Sequence, residues 1–181
     1  MIVNVLEYLE SSVKKFPTKI AFSDENNQIN YQDLELYSKR IGSEIYRATK
    51  GQIRQPLVVF VDRNIESLVA FMAVAYSGNF YVPIDIQMPK KRVELILETL
   101  KPLAMVVTNE SKSFASLVAP DLIAIDYEKQ IADGVFSEEL LLSLRGKITD
   151  RDPIYATFTS GSTGIPKGVI TCHQSVIDMT E

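Results

Sequence analysis

The apolar residues near the start of the chain follow two patterns, one typical of helices and one typical of strands. The first helical face is formed by Leu6, Leu9, Val13 and Phe16. Their spacing of three or four positions predicts a helix that ends before Pro17. Residues 20–23 and 28–31 alternate around the polar cluster at 24–27, which predicts a hairpin. Apolar residues then recur at helical spacing from Leu34 toward Arg47, which predicts a second helix.

The middle of the chain repeats a strand followed by a helix. Residues 57–61 are all apolar, which is typical of a strand buried on both faces of a parallel sheet. Asn64 is predicted to cap a helix over residues 65–76 that ends at Gly78. Further strands are predicted at 80–84, 103–108, 122–127 and 154–159, helices at 89–100, 111–118, 137–144 and 173–181, and extended chain at 169–171. Pro83 is expected to end its strand and Asp85 to turn the chain.

This alternation predicts an α/β fold: a three-layer sandwich in which helices flank both sides of a mostly parallel sheet. The chain has 181 residues, of which 46% are hydrophobic, so residues 1–181 are expected to form one globular unit.

Charge and composition exclude several classes of function. The net charge of −4 is spread along the chain without a basic stripe, so a nucleic-acid partner is not expected. Cys172 is the single cysteine, which excludes an internal disulfide and a thiolate metal site and favours a reducing, cytoplasmic location. Four polar or charged residues interrupt the apolar stretch at 57–76, so no membrane span is expected.

The segment richest in candidate chemistry lies between Thr157 and Gly168. It holds five hydroxyl side chains, three glycines and Lys167, and it follows a predicted strand. Glycines let backbone N–H groups approach an anion, hydroxyls donate to phosphate oxygens, and lysine adds a positive charge. The Walker P-loop pattern fails, because Pro166 replaces its second glycine and Gly168 replaces the hydroxyl residue after the lysine. The alternative is a solvated surface loop without a ligand.

Three motifs, in the expected order, resemble adenylate-forming (AMP-binding) synthetases, and within them the adenylation domains of nonribosomal peptide synthetases and D-alanine carrier-protein ligases. Residues 29–34 resemble the family's Leu-Thr-Tyr-x-Glu-Leu. Residues 77–85, followed by Pro89 and Arg92, resemble Ala-Gly-x-Ala-Tyr-Val-Pro-Ile-Asp and Pro-x-x-Arg. Residues 155–169 match the family's Tyr-Thr-Ser-Gly-Ser/Thr-Thr-Gly-x-Pro-Lys-Gly-Val signature, except for Phe158 at the aromatic position.

The resemblance implies an ATP- and Mg²⁺-dependent ligase. Such an enzyme activates a carboxylate, for example an amino acid such as D-alanine, and passes it to a phosphopantetheinyl carrier protein. The residues implied to hold the β and γ phosphates are Thr159, Ser160, Gly161, Ser162, Thr163, Gly164 and Lys167. Lys167 is also the implied catalytic residue, and no metal ligand is expected. The family pattern extends past residue 181, so the chain is expected to be an N-terminal part that is inactive alone.

Two other functions stay open. The chain could be a non-catalytic interaction or regulatory module that retains the loop, or part of a fatty or aryl acid CoA ligase. His173, the single histidine, is interpreted as a packing or capping residue, not as a general base, because no carboxylate partner is evident. Its neighbour Cys172 does not form with it the kind of spatial pair that catalysis uses.

Overall fold

The computed structural model describes residues 2–159 and 166–180, which form eight helices and eight strands. In chain order the elements are α1 (Leu6–Lys15), β1 (Ile20–Ser23), β2 (Gln28–Asn30), α2 (Tyr31–Ala48), β3 (Pro56–Val61), α3 (Ile65–Tyr76), β4 (Phe80–Asp85), α4 (Lys90–Leu100), β5 (Ala104–Val107), α5 (Lys112–Val118), β6 (Ile123–Asp126), α6 (Tyr127–Asp133), α7 (Glu138–Arg145), β7 (Pro153–Thr159), β8 (Lys167–Cys172) and α8 (His173–Thr180). The predicted alternation of strands and helices is confirmed.

Six strands form the main sheet, in the order β6-β5-β3-β4-β7-β8, and β1 and β2 form a separate hairpin. The first five strands of the main sheet are parallel, and β8 alone runs antiparallel to its neighbour β7. Parallel strands end at the same edge of a sheet, so the segments that follow β3, β4, β5 and β7 all lie at one edge.

Helices cover both faces of this sheet. On one face, residues of α1, α2, α3 and α7 pack against alternate residues of β3 and β5, such as Leu57 and Val106. On the other face, α4 and α5 pack against Val58, Val82 and Met105. The predicted three-layer sandwich is confirmed. Within the described residues, no helix is both long and apolar enough to cross a lipid bilayer.

Short polar side chains start the central helices where the sequence predicted. The Asn30 side chain accepts a hydrogen bond from the Asp33 amide at 2.8 Å, and the Asn64 side chain accepts one from the Ser67 amide at 3.1 Å. Each bond satisfies a helix amide that has no partner within the helix. Helix α3 ends before Gly78, whose φ of +76° is a conformation that favours glycine.

The structure corrects two local predictions. The strand predicted at 122–127 ends at Asp126, which accepts a hydrogen bond from the Lys129 amide and so caps the unpredicted helix α6. Pro83 does not end its strand, because β4 continues to Asp85. The expected turn at Asp85 is confirmed, since its carboxylate accepts a hydrogen bond from the Gln87 amide at 2.8 Å.

Candidate active site

Strands β7 and β8 form the two legs of an antiparallel hairpin that carries the loop at 159–168. Thr159, the last residue of β7, is paired with Lys167, the first residue of β8. Ser160, Gly161, Ser162, Thr163 and Gly164 join the two legs and lie outside the described residues. The loop therefore follows the carboxyl end of a parallel strand, the position at which α/β sheets commonly bind ligands.

A glycine and an aromatic ring pack against each other next to this pair. Gly168 is paired with Phe158, and a Cβ atom added to Gly168 would lie 3.2 Å from Cζ of the ring. The ring thus lies against the glycine backbone, where any side chain would have to displace it. This contact lies one residue along from the pair of Thr159 and Lys167.

Lys167 and Thr159 are available for an anion. Both residues are exposed, and Lys167 forms no ion pair with any residue in 2–159 or 166–180. A hydroxyl group and an ammonium group on adjacent strands can together donate to neighbouring phosphate oxygens. The chemistry of the two residues therefore fits one end of a polyphosphate.

At the opposite end of the hairpin, Asp152 holds the start of β7 in place. Its carboxylate accepts two hydrogen bonds from the Arg54 guanidinium, at 2.7 and 3.0 Å, and one from the Thr149 amide at 2.8 Å. These donors keep the pKa of Asp152 below its usual value, although partial burial opposes them. Its backbone oxygen also accepts a hydrogen bond from the His173 amide, which ties the two legs together. The sequence did not reveal the pairing of Arg54 with Asp152, because the two residues are far apart along the chain.

His173 lies at this base and not at the loop. Its side chain is 2% exposed, and Nδ1 accepts a hydrogen bond from the Val5 amide at 3.2 Å. Burial, helped by the nearby charge of Arg145, lowers the pKa of His173 to about 4, so the imidazole is neutral near pH 7. Lys167 and His173 are six positions apart, which corresponds to roughly 20 Å of strand. The structure thus supports the packing interpretation, and Cys172 contacts Ser175 through its Sγ atom at 3.3 Å.

Three stacked aromatic rings join α3, β4 and β7. The ring centroids of Phe71 and Tyr81 are 4.2 Å apart, and those of Tyr81 and Tyr155 are 5.7 Å apart. Burial raises the pKa of Tyr81 to about 12, so this phenol stays neutral. The stack lies where β4 pairs with β7, at Tyr81 and Tyr155. It supports the strand that leads to the loop.

No group of three or more His, Cys, Asp or Glu side chains that could bind a metal ion occurs in the described part of the chain. The carboxylates near the hairpin base, Asp150 and Asp152, lie at the end of β7 away from the loop.

The comparison with known families covers the same hairpin and most of the fold. Residues 9–181 match the AMP-binding enzyme family. The chain belongs to this family. The resemblance seen in the sequence motifs is thereby confirmed.

Curated relatives in the family are much longer than this chain. Gramicidin S synthase 2 from Brevibacillus brevis is 29% identical over 173 residues, which are 96% of this chain and 4% of the relative. The D-alanine–D-alanyl carrier protein ligase from Lactococcus lactis subsp. lactis is 26% identical over 179 residues, which are 98% of this chain and 35% of the relative. The chain thus spans about a third of that ligase.

Solved structures of family members share the fold. A nonribosomal peptide synthetase bound to α-methyl-L-serine-AMP superposes with a TM-score of 0.81 at 19% identity, covering 98% of this chain and 19% of that one. The fatty acyl-adenylate ligase from L. pneumophila, in complex with acyl adenylate and pyrophosphate, gives a TM-score of 0.77 at 18% identity, with coverages of 97% and 31%. These similarities confirm the fold class.

Proposed function

We propose that this chain is the N-terminal part of an adenylate-forming ligase and that its 159–168 loop binds the β and γ phosphates of ATP. The observation that carries the proposal is the pairing of Thr159 with Lys167, which brings to the two ends of the loop an exposed hydroxyl and an ammonium group that forms no ion pair among the described residues. Membership of the AMP-binding family supports the same reaction class.

In this reaction a carboxylate oxygen attacks the α phosphate of ATP, an acyl-adenylate forms, and pyrophosphate leaves. Negative charge develops on the leaving pyrophosphate, so donors fixed at that position stabilise the transition state more than the ground state. Lys167 supplies one full positive charge there, and Thr159 supplies a hydroxyl donor. Bound Mg²⁺ would add further charge neutralisation on the phosphates. Ser160, Gly161, Ser162, Thr163 and Gly164 complete the proposed set of phosphate-binding residues.

The proposed substrate is an amino acid, such as D-alanine, that is afterwards transferred to a phosphopantetheinyl carrier protein. The D-alanyl carrier protein ligase among the relatives supports this choice. A fatty or aryl acid is the alternative within the same reaction class, supported by the fatty acyl-adenylate ligase among the structural neighbours. We further propose that residues 1–181 alone do not complete the reaction, because they correspond to about a third of the Lactococcus lactis ligase.

Binding of Mg²⁺-pyrophosphate to the 181-residue chain tests the loop directly. The measurement is titration followed by ³¹P NMR, with wild-type protein compared with Lys167→Ala and with Lys14→Ala, an exposed lysine on α1. Removing the Lys167 charge should weaken binding about tenfold, as expected when a charge-assisted hydrogen bond to phosphate is lost. Lys14→Ala should leave it unchanged. Equal affinity of all three proteins would refute the role of Lys167.

A pyrophosphate-exchange assay tests the reaction. The 181-residue chain should show no exchange with any amino acid, and exchange by the chain alone would contradict the proposal that it needs further residues.

The second candidate function is a non-catalytic module that keeps the loop without binding nucleotide, and the 35% coverage of the ligase relative is compatible with it. Thermal unfolding with saturating Mg²⁺-ATP separates the two functions. Nucleotide bound to the folded state raises the melting temperature, whereas the non-catalytic module predicts no shift.

A further inference from the structure

An apolar groove runs along α3 on the side where the β1–β2 hairpin packs. It consists of two adjoining cavities, of about 500 and about 220 Å³, which share Phe22 and Leu68. The larger cavity is also lined by Phe71 and Pro83, and the smaller by Leu9 and Met72. We call this feature the α3 groove. Its combined volume falls within the range of sites that bind ligands or peptide side chains.

The α3 groove leaves a large aromatic side chain in contact with water. Phe22 is 44% exposed although it forms part of both cavities. Isolated apolar residues are common on protein surfaces, but a continuous apolar groove of two cavities is typical of an interaction site.

An acidic rim borders the larger cavity. A third cavity, of about 370 Å³, shares Asp24, Arg63 and Asn64 with it. The carboxylates that line this cavity are Asp24, Glu25, Asp62, Glu66 and Glu110, and its one positive side chain is Arg63.

Most of these carboxylates have no ion-pair partner in the part of the chain that the structure describes. Glu25, Asp62, Glu66 and Glu110 form no ion pair with another residue in the described ranges. Asp24 differs from them, because it accepts hydrogen bonds from backbone amides such as that of Ile65, at 3.1 Å. The negative potential beside the groove thus comes mainly from carboxylates that face solvent.

We propose that the α3 groove binds a basic amphipathic segment of a partner protein. Apolar side chains three or four positions apart on a helical segment would occupy the two cavities, which adjoin at Phe22 and Leu68. The lysine or arginine side chains of the same segment would form ion pairs with the carboxylates of the acidic rim. A second copy of this chain is disfavoured because its net charge is −4 and its groove carries the same acidic rim. The same repulsion disfavours an anionic lipid surface.

This inference goes beyond the proposed function and does not depend on it. The described residues that line the groove include neither Thr159 nor Lys167, although the larger cavity and the 159–168 loop both lie toward the carboxyl edge of the sheet. Peptide binding tests the groove and pyrophosphate binding tests the loop, so failure of one proposal is distinguishable from failure of the other.

Three synthetic 18-residue peptides test the proposal on the 181-residue protein. The first has leucine at helical spacing with lysine elsewhere, the second keeps the leucines and replaces lysine with glutamate, and the third keeps the lysines and replaces leucine with glutamine. Affinity is measured by calorimetry, and the site is mapped by amide chemical shifts. The first peptide should bind at least about tenfold more tightly than either other peptide, with shifts at Phe22, Leu68 and Glu66, and binding should weaken at high salt.

Two variants and one control locate the interaction. Phe22→Ser should weaken binding of the first peptide about fivefold or more, because it removes a wall of both cavities. The double variant Asp62→Asn, Glu110→Gln changes only charge on exposed residues, so it tests the rim even if Phe22→Ser unfolds; it should weaken binding about threefold. Leu142→Ser, at a 63% exposed leucine on α7, should have no effect. Equal binding of all three peptides, shifts outside the groove, an unaffected double variant, or dimerisation of the protein through the groove would overturn the proposal.

Discussion

The buried imidazole of His173 makes the stability of the protein depend on pH. Its pKa is about 4 in the folded protein, against 6.5 for a free histidine. The folded state therefore favours the neutral ring. The stabilisation that comes from this preference is fully present above pH 6.5 and is lost as the pH falls toward 4. A pKa difference of this size corresponds to a loss of on the order of 3 kcal/mol of unfolding free energy.

The variant His173→Gln isolates this effect, because glutamine does not titrate. Urea unfolding should show the wild type as the more stable protein at pH 7, with the difference shrinking between pH 6.5 and 4. Carboxylates elsewhere contribute equally to both proteins and cancel in the comparison. A difference that stays constant over this range would show that the histidine titrates normally in the folded state.

Single residues differ in how well the sequence predicts their roles. Asn30 and Asn64 were predictable because a capping side chain acts on an amide three positions away. The role of Pro83 was predicted wrongly, since proline in a strand interior is usually excluded, yet β4 continues through it to Asp85. Arg54 and Asp152 lie too far apart along the chain for local patterns to pair them.

Helices α2 and α3 approach each other closely at Gly42. A Cβ atom at this position would lie 2.8 Å from the carbonyl oxygen of Ala73 and 2.9 Å from Cβ of Tyr76. The variant Gly42→Ala should therefore lose about 1–2 kcal/mol of unfolding free energy, after the gain in helix propensity of about 1 kcal/mol is subtracted. Urea denaturation measures this change.

Gly146 provides the matched control for Gly42→Ala. A Cβ atom there would lie no closer than 3.7 Å to other atoms, and the φ of −64° suits alanine. Gly146→Ala should be neutral or slightly stabilising. If both alanine variants had the same effect, the close approach of α2 and α3 would not limit the packing.

The elements themselves were predictable where the apolar spacing was strong. Strand β3 and helix α3 have nearly unbroken apolar sequences and were located within one residue. Helix α6 was missed because it has seven residues and only a few apolar positions, too few for a helical period to be detected. Strand β8 was recognised only in part, as extended chain at 169–171, because its two aliphatic residues, Val169 and Ile170, are adjacent and exposed and so give no alternating pattern.

Across the whole molecule, the sheet has an exposed apolar edge at β8. Val169 is 55% exposed and Ile170 is 63% exposed, and among the described strands β8 has a neighbour on one side only. Successive residues of a strand point to opposite faces, so both faces of the sheet are uncovered at this edge. Such edges promote association between chains.

The variant Ile170→Lys should reduce this association. Light scattering at rising protein concentration should fall relative to wild type, while the melting temperature changes little because the side chain is already exposed. Met179→Lys, at a 73% exposed residue on α8, adds the same charge away from the strand edge. An equal reduction in both variants would attribute the effect to net charge and not to the edge.

The layered architecture was predictable at this scale, but the order of the strands was not. Alternating strands and helices imply a parallel sheet with helices on both faces whatever the strand order. Placement of β7 beside β4 depends on contacts between residues far apart in sequence, such as the stack of Tyr81 on Tyr155. The antiparallel direction of β8 likewise rests on its pairing with β7, as between Thr157 and Val169, which no local pattern specifies.

The short pairing between β4 and β7 has a consequence for how fast the backbone of β7 should exchange hydrogen for deuterium. Strand β4 pairs with β7 at Tyr81 and Tyr155, whereas it pairs with β3 along all six residues. Past Tyr155, the amides of β7 that point toward β4 therefore have no paired residue on that strand. They should exchange much faster than the amides of β3, so that deuterium enters the strand that leads to the loop while the centre of the sheet stays protected.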